Sequence, residues 1–220
     1  MTVRTYDEFL GALNELGFLL FAGNSTGMLK LSDITGPGAW FQGGENDPWG
    51  WRKRLCEERD GIYARVLGGQ TFLISWKWYP KFLAAYRQCE TLEERYAAGG
   101  VSGAVWRMYE LFEERHALAR HELTGRFTRA EVTKGLNILQ QEMYITISGE
   151  VQKLSVDFRP VGWPSMEFTR VEDWASEALR DSEALDGAQM RREIRIRAGE
   201  ISPGAEQEAL NRLFGEWSVK

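Results

Sequence analysis

Two indoles and three cations fall within one short stretch, Trp49-Gly50-Trp51-Arg52-Lys53-Arg54. Arginine and lysine pair with phosphate oxygens and indole faces stack on bases, so these residue types side by side point to nucleic-acid chemistry. The competing reading is a helix start that buries its rings and leaves its cations in water. Asp47-Pro48 just upstream supplies the cap and the first-turn proline that such a start needs. On a helix opened there, Trp51, Leu55, Ile62 and Val66 form one apolar stripe with Trp49 beside it, while Arg52, Lys53 and Arg59 turn outward. The stripe favours packing for both indoles and leaves Arg52, Lys53 and Arg54 as candidate phosphate contacts. Trp78, within Trp76-Lys77-Trp78-Tyr79, is a third candidate for stacking alongside Trp49 and Trp51.

The charge balance sharpens that reading. The chain carries a net charge of −5, which counts against indiscriminate coating of nucleic acid, because phosphate neutralisation dominates such binding. The cations are unevenly spread, however. Residues 46–87 hold Arg52, Lys53, Arg54, Arg59, Arg65, Lys77, Lys81 and Arg87 against Asp47, Glu57, Glu58 and Asp60, whereas residues 170–217 are net negative.

Other chemistries find little support. Cys56 and Cys89 lie far apart, and His116 and His121 do not share a helix face, so no metal site is expected. No GxGxxG or GxxxxGK[ST] loop and no nucleophile elbow is present, and no cofactor is implied. No apolar run approaches the roughly 18 residues that span a bilayer, and Met1 leads into polar residues rather than a signal-peptide core. The default expectation is a cytoplasmic protein without membrane partners.

The elements that would position these residues come from periodicity and punctuation. Thr5-x-x-Glu8 caps a first helix carrying Tyr6, Phe9, Leu10, Leu13 and Leu16, and Gly17 stops it. Phe18 to Phe21 reads as a short buried strand and residues 23–44 as a loop. The helix opened at Asp47 is expected to run to Gly68-Gly69, followed by a strand at Thr71 to Ile74 and a helix restricted by Pro80. Thr91-x-x-Glu94 is a second capping box, and Gly99 to Gly103 is the best boundary between domains. Beyond it Val101, Val105, Met108, Tyr109 and Phe112 stripe one helix, a brief helix lies within residues 118–123, and Val132, Leu136, Leu139 and Met143 stripe a third. A strand over residues 143–147, a turn at Ser148-Gly149-Glu150 and a return strand over residues 166–170 complete the order of a winged helix-turn-helix. Arg126, Arg129, Lys134 and the wing residue Lys153 are its candidate nucleic-acid contacts. Thr133, Asn137, Gln140 and Gln141 also lie off the apolar stripe. The charged tail after Trp174 reads as helical, with Leu210, Leu213 and Phe214 facing inward from a last helix after Ser202-Pro203. No internal repeat shows in the letters.

Several stretches together resemble the AlkZ-like family of tandem winged-helix DNA glycosylases. WRKRLCEERDGIYARVLGGQTFLISWKWYPKFLAAYR is similar to that family's aromatic-rich helix, strand and following helix. VWRMYELFEERHALARHELTGRF and LNILQQEMYITISG resemble its second winged helix and the strand after it. The resemblance covers residues 5–174, and members are typically longer. It implies an α+β, mainly helical fold: a tandem winged helix-turn-helix with short β-hairpins, divided as 1–100, 101–175 and a helical extension over 176–220. It also implies double-stranded DNA, intact or damaged, as partner and a link to base-excision repair.

One departure weighs against carrying over the chemistry. The family's Gln-x-Gln or Gln-x-Asp pair follows its first helix, where this chain reads LGFLLFAGN, with Leu20 and Ala22 at the two polar positions. The only Gln-x-Glu, Gln140-x-Glu142, sits at the end of a different helix. Excising a base needs a flipped nucleotide, stacking partners and a polar group that activates water. The nearby loop offers Asn24, Asp33, Gln42, Glu45 and Asp47, the last better explained as a helix cap. The residues therefore leave open N-glycosidic hydrolysis with an altered catalytic set, a DNA-binding or regulatory relative without it, and a scaffold for a small molecule or protein.

Overall fold

The computed structural model describes residues 2–23 and 26–215. It is α+β, about half helical, with two small antiparallel sheets. Helix α1 (Tyr6–Leu16) starts at the Thr5 cap, whose hydroxyl accepts from Glu8 N. Gly17 then takes φ +92, open to glycine, and the Trp78 indole packs where a Cβ would project. Strand β1 (Phe18–Leu20), short helices α2 (Leu31–Ile34) and α3 (Pro48–Glu57), and strands β2 (Ile62–Val66) and β3 (Gln70–Ile74) complete the first group, with sheet order β1-β3-β2.

Helices α4 (Tyr79–Tyr86) and α5 (Leu92–Ala97) lead into the second group. It runs through α6 (Gly103–Arg115), β4 (Ala117–Ala119), α7 (Arg120–Leu123), α8 (Arg129–Gln141), β5 (Ile145–Val151) and β6 (Ser165–Arg170), with sheet order β4-β6-β5. The two groups therefore share one order of elements and one strand order, a repeat invisible in the letters. In that correspondence α3 occupies the place of α8. The C-terminal helices α9 (Val171–Trp174), α10 (Ser176–Glu183), α11 (Gly187–Ile201) and α12 (Gln207–Phe214) follow.

The first sheet is buried on both faces, which explains its uninterrupted apolar strands. Leu19, Tyr63 and Leu73 face a core shared with α1, α3, α6 and α8. Their chain neighbours Phe18, Leu20, Ile62, Ala64, Phe72 and Ile74 face a second core closed by α4, α11 and α12. The alternation is the two-residue period of a strand. The first core includes residues of both groups, from Phe9 and Trp51 to Val132 and Ile147.

Three expectations need correction. The helix opened at Asp47 ends at Glu57, and Ile62 and Val66 belong to β2. Gly68-Gly69 makes the β2–β3 turn instead of a helix stop. Ser148-Gly149-Glu150 is not a turn: β5 passes through it, absorbing the irregularity as a bulge between Ile147 and Gly149, and the reversal comes at residues 152–164. Smaller differences are a strand at Ala117–Ala119 before the brief helix and a last helix that begins at Gln207.

Candidate nucleic-acid interface

The opening stretch lies on α3. Asp47 caps it: Oδ1 accepts from the backbone N–H of Trp49 and of Phe41, and Oδ2 accepts from Gly43 N. Burial works against the charge on this carboxylate, but those backbone donors outweigh it and hold the group below its ordinary range. The same clamp keeps Phe41 exposed at φ +61, with its ring 5.2 Å from that of Trp49.

The three candidate indoles differ in burial. Trp51 is buried, stacked on Phe9 at 5.3 Å, and donates its indole N–H to Glu45 O. Trp78 is almost wholly buried against Phe18 and lies beneath Lys81. Trp49 alone of the three stays substantially exposed, at 38%, with the Arg52 guanidinium over its ring at 3.9 Å.

The three cations do not all point outward. Arg52 is buried, donates to Trp49 O and pairs with Glu150 on β5. It therefore joins α3 to the second sheet instead of facing solvent. Lys53 and Arg54 are partly exposed, paired with Glu57 at 3.6 Å and Glu58 at 2.7 Å, one helical turn along. Arg54 also lies over the Tyr6 ring at 4.0 Å. Each member of the opening cluster has a carboxylate beside it.

The second group presents the opposite picture. Thr128 caps α8 in a capping box with Glu131, and Val132, Leu136 and Leu139 turn inward. Gly135 lets α6 approach: a Cβ there would stand 2.9 Å from Met108 Sδ and Cε. That orientation leaves Arg129, Thr133 and Lys134 exposed on the far side, with Arg120 reaching across to the Thr133 hydroxyl at 2.8 Å. Asn137 and Gln141 are half-buried, while Gln140 is buried and donates to Leu136 O, so it does not join the outward set.

Residues 101–160 sum to zero charge, yet ion pairing takes up more of the carboxylates than of the cations. Glu113 meets Arg170, Glu122 meets Arg115, Glu142 meets Arg95 and Glu150 meets Arg52. Arg126, Arg129, Lys134, Lys153 and Arg159 are exposed and, among the described residues, form no ion pair. Ion pairing engages half of the segment's carboxylates, leaving Glu110, Glu114, Glu131 and Asp157 against a larger set of unpaired cations among the described residues. Composition could not show this, because the Arg52 and Arg95 partners come from outside the segment.

The position expected for a catalytic pair holds no polar side chain. Leu20 is buried in β1 and Ala22 is exposed. Asp33 accepts from Lys30 N and pairs with its ammonium group, and the Gln42 amide donates to Trp40 O. Asn24 lies outside the described residues. Gln140 and Glu142 are both buried and engaged within the fold.

A family model described as "AlkZ related" matches residues 3–215. The chain belongs to the AlkZ-related family. The match takes in the C-terminal helices, beyond the stretches that carry the resemblance in the sequence. Membership relates this AlkZ-related protein to DNA glycosylases and DNA repair, with DNA as the substrate class of the family. No curated protein and no solved structure matches the chain. Among the described residues of this AlkZ-related chain, no helix is long and apolar enough to cross a membrane, and no group of His, Cys, Asp and Glu could hold a metal ion.

Proposed function

We propose that this AlkZ-related chain binds duplex DNA through its second half and serves damage recognition in the cytoplasm without excising a base at the family's position. In this reading both groups of elements are winged helices, with boundaries at 1–100 and 101–175 and the remaining helices as a buttress. The pair α7 and α8 forms the helix-turn-helix, and β5 and β6 carry the wing. The observation that carries the proposal is an excess of free cations: Arg126, Arg129, Lys134, Lys153 and Arg159 are exposed and unpaired, while Glu113, Glu122, Glu142 and Glu150 are held by other cations.

The first half fits a supporting role. Arg52 is a packing and pairing residue, and Trp51 and Trp78 are core, so none of them is offered to DNA. Trp49, partly exposed, is the indole of the three left available for stacking. Lys53 and Arg54 can reach phosphate only by exchanging Glu57 and Glu58 for it, which makes them secondary contacts. Leu20 in the core argues against water activation at that place, since an apolar side chain neither accepts nor donates a proton.

Two measurements test this. Duplex affinity titrated against salt should fall with a log–log slope of about −0.9 for each phosphate neutralised; a flat titration overturns DNA binding. An abasic-site cleavage assay on alkylated, deaminated and crosslinked duplexes should remain silent. Base release by the purified chain would restore the glycosylase reading.

A further inference from the structure

We infer that the hairpin spanning residues 152–164 is an apolar wedge that enters the base stack of duplexes whose stacking is already weakened, while Lys153 and Arg159 hold flanking phosphates. The inference rests on the DNA-binding reading above and adds the substrate class.

Exposed apolar surface is concentrated here. Val156 is 95% exposed, Trp163 88% and Phe158 82%, with Leu154 and Val161 also open to solvent. A projecting apolar patch of this kind marks an interaction surface. The hairpin is also braced. Val161 N donates to Lys153 O at 2.8 Å, Ser155 N donates to Arg159 O at 2.8 Å, and Leu154 bridges Pro160. At the tip, Phe158 N donates to Ser155 O at 3.0 Å and Arg159 N donates to the Ser155 hydroxyl at 3.2 Å. These bonds fix Phe158 at φ +58, a left-handed conformation that a bulky side chain rarely adopts. A strained backbone that presents a phenyl ring to water is a feature for contact, since it gives the free fold nothing to pack.

The nature of the occupant follows from charge. Two unpaired cations, Lys153 and Arg159, stand beside the apolar tip, against one carboxylate, Asp157. The nearest strand carboxylates are engaged: Glu150 with Arg52 and Glu167 with the Ser148 hydroxyl. In the same group of elements, α8 and the turn before it add the exposed cations Arg126, Arg129 and Lys134. A partner with anionic edges and an apolar, planar interior complements that arrangement, and a duplex has both. Apolar side chains inserted between base steps partly unstack them, at least cost where a base is missing or mismatched.

The test uses the full chain and a short duplex, either intact or carrying one abasic-site analogue opposite 2-aminopurine. The wild-type chain should bind the abasic duplex about tenfold more tightly than the intact one, and 2-aminopurine emission should rise on binding. Substituting Val156→Ser together with Phe158→Ser should bring the affinity ratio to about one and abolish the emission change. Both side chains are exposed, so an unchanged thermal unfolding curve controls for folding. A ratio and emission change that survive this substitution overturn the wedge, as does a wild-type ratio of one. Loss of all duplex affinity in the wild type instead overturns the underlying DNA reading. Binding of the hairpin to anionic phospholipid vesicles, or a dimer lost on Phe158→Ser, with no abasic preference, overturns the wedge in favour of a lipid surface or a second copy.

Discussion

The guanidinium of Arg52 lies 2.5 Å from the carboxylate of Glu150, joining α3 to the strand that runs into the long hairpin. Both side chains are largely buried, and the Trp49 ring covers the guanidinium at 3.9 Å. Removing one partner of such a pair leaves an uncompensated charge, which costs about 3–5 kcal/mol. Glu150→Ala should therefore lower urea stability by that order, and Arg52→Met combined with Glu150→Leu should recover most of it. A loss under 1 kcal/mol for Glu150→Ala would mean that water reaches the pair.

The cations of the two halves should separate in a salt titration of duplex affinity. Arg129→Ala with Lys134→Ala should reduce the slope by about two, since each phosphate contact contributes about 0.9. Lys53→Ala with Arg54→Ala should change it little, because Glu57 and Glu58 already neutralise both groups. Equal flattening by both pairs would return the Trp–Arg stretch to the interface.

The two cysteines should differ in reactivity. Burial pushes the Cys56 thiol up to about 12, so its nucleophilic thiolate is scarce at neutral pH, whereas Cys89 is exposed. A chromogenic disulfide reagent should report one thiol in the native chain and two after denaturation, and Cys89→Ser should abolish the native signal.

Asp47 gives the fold a defined acid dependence. Its folded pKa lies below the ordinary 3.8, so as pH falls the unfolded chain takes up this proton first. The contribution is present above the ordinary value and lost as pH drops through the folded one. Asp47→Asn should remove that component of acid destabilisation, measured by chemical unfolding between pH 2 and 5, and lose about 1 kcal/mol of capping at neutral pH. An unchanged acid profile would show that the clamp on Phe41 and Trp49 does not depend on charge.

Much of the helical framework was legible because its signals are local. Thr5, Asp47 and Thr91 each cap the helix their spacing predicts. Ile62 and Val66 were misread for a physical reason: residues four apart share a face on a helix and also on a strand. What separates the readings is the reversal before β2, where Arg59 takes φ +58 and Gly61 packs against Leu55, and neither shows in hydrophobic periodicity. The outward expectation for Arg52 failed because its partner is 98 residues away in the chain. Ser-Gly at 148–149 carries a turn signature but sits in a bulged strand, which hid the true hairpin and its apolar tip. The excess of unpaired cations in the second half was likewise out of reach, because it depends on which carboxylate meets which cation in space.

The two matching groups differ sharply in the connection between their last two strands. One closes its last two strands with Leu67-Gly68-Gly69; the other takes residues 152–164 for the same task. Lengthening such a loop adds only slowly to the entropy of closing it, so the scaffold tolerates growth at that point far better than within its doubly covered first sheet. The longer connection is therefore where this chain can change in length and sequence without disturbing either core, while its short counterpart is held close by the packing on either side.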